Sequence, residues 1–78
     1  MEKLSEKDAE VFQVLLVHWI NHNGEHVEGY REWSEKMADV RPEVAGEIDK
    51  AIDDMQQAGR KLMEAKIKFQ ESWEQTIK

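Results

Sequence analysis

All three histidines of the chain fall in one short stretch, VHWINHNGEHVEGYREW, residues 17–33, at positions 18, 22 and 26. A spacing of four sets consecutive residues on one side of a helix, one turn apart. Two imidazoles so placed can chelate one metal ion, as in the helical HExxH motif. His18 and His26 stand ~12 Å apart along a helix axis, so all three cannot close on one ion. The metal candidates are therefore His22 and His26, with His18 secondary and Glu25 as the nearest carboxylate to complete or orient the site. Imidazole ligands suit zinc, nickel, cobalt or copper(II). A pair supplies half a coordination shell, and a second copy of the chain would supply the rest. The competing reading is of histidines as structural polar layers that fix helix register.

Several other chemistries fail on residue types. HNGEH fits the H-x-x-E-H pattern of a peptidase family. That chemistry also needs a third ligand and a water-excluding cleft, so no enzyme is expected. Haem would have to bind without covalent attachment, because there is no CxxCH, and is not expected. Met37, Met55 and Met63 are soft atoms at helical spacing, the pattern of core filling. No glycine-rich phosphate loop and no serine–histidine–carboxylate set is present.

The elements that must position these residues are read from punctuation. The single proline, Pro42, lies near mid-chain, and proline suits the first turn of a helix. SEKD, residues 5–8, reads as a capping box. The spacing predicts helix one over about 5–40, a turn around 41–42 and helix two over about 43–76, one domain across 1–78. Asn23-Gly24 is a turn-type pair that the continuing helical period overrides. Steps of seven collect Phe12, Trp19, His26, Trp33 and Val40 on helix one, and Val44, Ala51, Ala58, Ala65 and Ser72 on helix two. Folding at Pro42 pairs Trp33 with Ala51, His26 with Ala58, Trp19 with Ala65 and Phe12 with Ser72, large against small. Ile48, Met55, Leu62, Phe69 and Thr76 form a second stripe. The expectation is an all-α antiparallel two-helix hairpin whose surplus apolar surface closes by dimerisation into a four-helix bundle. Trp19, Asn23, Ala58 and Leu62 are expected to pack around the histidine site, and Lys66 to snorkel out near the level of His18.

Composition narrows the partners. Seventy-eight residues without cysteine must find stability in helix packing, a metal or a partner. A net charge of -6 and a pI of about 5.0 disfavour nucleic acid and anionic lipid, and favour a cation. The acidic, polar N-terminus is unlike a secretory signal, and no apolar run reaches membrane-spanning length, so a cytoplasmic location is expected.

The segment HWINHNGEHVEGYREWSEKM followed by EVAGEIDKAIDDM resembles a family of short helical archaeal and bacterial domains. Their HWxxHNxxH segment is matched here by His18, Trp19, His22, Asn23 and His26, and the resemblance covers roughly residues 12–65. It is a domain family of unknown function, so the resemblance implies that these residues belong together and implies no activity. The expected role is non-catalytic transition-metal binding at a homodimer interface. The alternative is a helical protein–protein interaction or oligomerisation module with structural histidines.

Overall fold

The computed structural model describes the backbone of residues 4–77 and the side chains of residues 4–71. Two helices, α1 (Glu6–Val40) and α2 (Pro42–Ile77), pack as an antiparallel hairpin with principal extents of 57 × 19 × 16 Å. Ser5 caps α1, its hydroxyl oxygen accepting from the Asp8 N–H at 3.1 Å and so satisfying one donor of the first turn. Arg41 alone turns the chain. Its N–H closes α1 on the Met37 carbonyl at 2.7 Å, and its own carbonyl accepts from Val44 and Ala45 to open α2. Proline follows at the first position of α2, where a missing N–H costs nothing. The Arg41 guanidinium, 2.7 Å from Glu43, holds that carboxyl below its usual range.

The seam between the helices is narrow and built mainly of small or β-branched residues. Ala9, Leu16, Val27 and Ser34 from α1 are buried against Ala45 and Ile52 from α2, with Leu16 only 1% exposed. Ile20, Asn23 and Met37 are half-buried on the same side, facing Ile48, Met55, Gly59, Leu62 and Phe69. Two polar links set the rotation of one helix on the other. Asn23 donates its side-chain amide to the Met55 carbonyl at 2.8 Å. Ser34 donates to the Asp49 carboxylate beside the Ala45 carbonyl. At the open end, the Phe12 and Phe69 rings meet edge to face at 5.0 Å. Among the described residues no buried side-chain polar atom lacks a partner.

The second stripe of α2, Ile48 through Phe69, enters this seam as its spacing predicts, while Thr76 lies outside the described side chains. The large-against-small rows do not enter it. Trp19 is 41% and Trp33 56% exposed, and His26, Ala51, Ala58 and Ala65 are exposed as well. Of these rows only Phe12 is half-buried, and Ser72 lies outside the described side chains. The expected seam pairing of His26 with Ala58 is therefore corrected. The apolar arc of each helix is wider than one neighbour can cover. Tryptophans would also hold the backbones apart where Asn23 and Gly59 must meet: a Cβ on Gly59 would stand 2.9 Å from the Asn23 amide nitrogen. Close approach along the small residues wins, and the two rows are left side by side on one flank of the hairpin.

Candidate functional site: a histidine ladder beside an aromatic flank

Each step of four residues on a helix advances about 40° beyond a full turn. His18, His22, His26 and Tyr30 therefore climb α1 as a diagonal, from its outer face toward the seam. Their rings follow one another at centroid separations of 5.6, 4.4 and 5.9 Å. The shortest step is His22 to His26, the pair favoured as a chelate, and both side chains are exposed. His18 is exposed on the outer face, away from the aromatic row. Lys66 is half-buried on the seam side of α2. Glu25 is also exposed, seven positions from His18 and in the same outer row. Among the described residues, no three His, Cys, Asp or Glu side chains are grouped to hold a metal ion. Among the described residues one chain thus brings two imidazole rings close together, with no third such side chain grouped beside them.

The residues expected to pack around this pair divide between two surfaces. Asn23 and Leu62 are half-buried at the seam, whereas Trp19 and Ala58 lie on the exposed flank. That flank carries Trp19, His26, Trp33 and Val40 along α1, and Val44, Ala51, Ala58 and Ala65 along α2. Between Tyr30, Trp33, Ile48 and Ala51 it is hollowed by a depression of about 320 Å³. The Lys36 ammonium rests 4.6 Å from the centre of the Trp33 ring, a cation–π contact at the edge of the flank. A second groove, of about 410 Å³, opens on the opposite side of the hairpin around Asn23, Gly24, Arg31 and Gly59.

The Ser34–Asp49 link and the need for glycine at 59 were not anticipated from the sequence. Ser34 recurs at seven-residue spacing with Val27 and Ile20, which marks it as a seam residue. Nothing at Gly59 itself announces the Asn23 contact.

The fold and the site define a small helical hairpin with an imidazole ladder on one helix. A model of the family described as "Domain of unknown function (DUF8180)" matches residues 12–69, and the chain belongs to that family. No curated protein and no solved structure matches it. No helix among the described residues is long and apolar enough to cross a membrane.

Proposed function

We propose that this chain is a non-catalytic self-associating module: two hairpins bury their aromatic flanks against each other as a four-helix bundle. One observation carries the reading. Both helices hold a mostly apolar repeat with alternating steps of four and three, broken on α1 by Asn23 and His26. On α1 it runs Phe12, Leu16, Trp19, Asn23, His26, Tyr30, Trp33, Met37 and Val40. On α2 it runs Val44, Ile48, Ala51, Met55, Ala58, Leu62, Ala65 and Phe69. This is the a/d pattern of helices with two neighbours, yet the hairpin supplies each helix with one. Half of each repeat stays uncovered, including Trp33 at 56% and Val40 at 69% exposure. No Asp, Glu, Lys or Arg interrupts either repeat, in a chain of which these four types make up 36%. The 57 × 19 Å long side offers roughly 1,000 Å² per copy, enough for the about 800 Å² per partner of a standard interface.

Sedimentation velocity across a wide concentration range tests this. The full chain is expected to be dimeric, and Trp33→Glu to shift it to monomer with its helix content kept. Val14→Glu, at an exposed position off the flank, serves as control. A wild-type monomer at high concentration, or a Trp33→Glu dimer as tight as wild type, refutes the proposal.

A second reading, transition-metal binding, is supported by the 4.4 Å approach of His22 and His26. In a cytoplasmic setting this would suit zinc, nickel, cobalt or copper; docking of an unrelated protein on the same flank is the alternative that a monomeric result would favour.

A further inference from the structure

We propose that two copies pair about a two-fold axis crossing the helices at the level of His26 and Ala58. The His22 and His26 imidazoles gathered there then bind one divalent transition-metal ion per two chains. This rests on the self-association reading and adds its symmetry and its ligand.

Three features of the sequence as folded set the axis. The α1 row Phe12, Trp19, His26, Trp33, Val40 reads nearly the same in either direction about His26. Turned end for end, Trp19 meets Trp33 of the partner subunit, and His26 meets the partner's His26. The α2 row does the same about Ala58, with Ala51 meeting the partner's Ala65, so the α2 helices can approach closely. The charges bordering that alanine row are ordered by sign: Glu47 and Asp54, then Lys61 and Lys68, at seven-residue spacing. Reversal pairs Glu47 with the partner's Lys68, and Asp54 with the partner's Lys61. It also sets Lys50 against Glu64 of the partner subunit. Such flanking pairs choose helix orientation in coiled coils. A two-fold running along the helices would instead seat Lys61 beside the partner's His22, a like-charge neighbour for any bound cation.

The end-for-end pairing brings α1 against α1 on the side where His22 and His26 lie. Gly29 sits one helical step of seven beyond His22, and a Cβ there would meet nothing within 4 Å. That leaves room for a ring from the second copy. His22 and His26 of one chain hold two coordination positions, and the partner's His26, facing across the axis, holds a third. The symmetry-related site would need the same two His26 rings, so occupying one excludes the other. That sets the stoichiometry at one ion per dimer. His18 and Glu25, in the outer row of α1, take no part. Imidazole nitrogens select zinc, nickel, cobalt or copper(II) over calcium or magnesium, and the net charge of -6 attracts a cation.

Two experiments on the full chain test the two parts separately. The chain has no cysteine, so Ala58→Cys introduces a single thiol on an exposed position. Under mild oxidation in metal-free buffer it is expected to cross-link to itself as a disulfide dimer. Ala51→Cys alone should not, but it should cross-link when mixed with Ala65→Cys. A dimer in which Ala58→Cys stays reduced while Ala51→Cys cross-links to itself overturns the axis. Calorimetric titration with nickel and with zinc is then expected to saturate at about one ion per two chains. Affinity should fall roughly tenfold or more in His22→Ala and in His26→Ala, and stay within about twofold in His18→Ala. A dimer that binds neither ion overturns the metal site and leaves self-association standing. A monomer that binds one ion per chain overturns both.

Discussion

Replacing Gly59 by alanine sets two effects of similar size against each other. Within a helix, alanine is favoured over glycine by about 0.8–1.0 kcal/mol. At position 59 the new Cβ would lie 2.9 Å from the Asn23 amide nitrogen, closer than carbon and nitrogen tolerate. Asn23 must swing away and give up its 2.8 Å bond to the Met55 carbonyl. A side-chain hydrogen bond of this kind contributes about 0.5–1.5 kcal/mol net, more if the amide is left buried without a partner. Gly59→Ala should therefore leave stability near wild type or lower it by up to about 1 kcal/mol. At Gly46, where a Cβ would meet nothing within 4 Å, the same change should stabilise by about 1 kcal/mol. In an Asn23→Ala background the obstruction is gone, and Gly59→Ala should gain that same increment. Urea unfolding followed by tryptophan fluorescence, at one fixed protein concentration, measures all four variants. If Gly59→Ala stabilises wild type as much as Gly46→Ala does, the Asn23 contact does not constrain the seam and the account of the hairpin's rotation fails.

Other expectations follow from the same seam and its ends. Leu16→Ala, which empties the most buried large side chain, should cost about 2–5 kcal/mol in urea unfolding. Ser34→Ala should cost about 1 kcal/mol by removing its hydrogen bond to the Asp49 carboxylate, which belongs to an exposed residue and turns to water instead. Ser5→Ala should cost about 1 kcal/mol and show as faster amide exchange in the first turn of α1. The Glu43 carboxyl is held below its ordinary value of 4.5 by the Arg41 guanidinium. Its contribution is present above the unfolded-state pKa and fades as pH falls through the folded one. Arg41→Gln should raise the Glu43 titration midpoint seen by NMR.

Helix boundaries were legible because their signals are local. The Ser5 cap, the break at Arg41–Pro42 and the uninterrupted period through Asn23-Gly24 all act within a turn or two of chain. The facing of the helices was legible only in part. Seven-residue steps correctly collected Trp19 with Trp33 and Ala51 with Ala58, since residues in one row share a side of the helix. Which row meets the other helix is a different matter, decided by how closely two backbones can come together. That depends on the Asn23–Gly59 and Ser34–Asp49 contacts, across intervals no sequence window spans. Hence His26 was expected in the hairpin seam and stands on its flank. The histidine pair itself was legible, because the i, i+4 spacing alone puts His22 against His26.

Because one residue, Arg41, makes the whole connection, every cross-helix contact has a defined distance from the turn. The hydroxyl of Ser34 meets α2 across 11 to 15 positions of chain, and the amide of Asn23 across 32. Closing the longer loop directly costs about 1 kcal/mol more entropy than closing the shorter. Once the Ser34 level has formed, the next is reached by adding a turn of helix on each side. The molecule should therefore assemble like a zip drawn from Arg41 outward. In hydrogen exchange, protection should be strongest near Ser34 and Asp49 and decline toward the end where Phe12 meets Phe69.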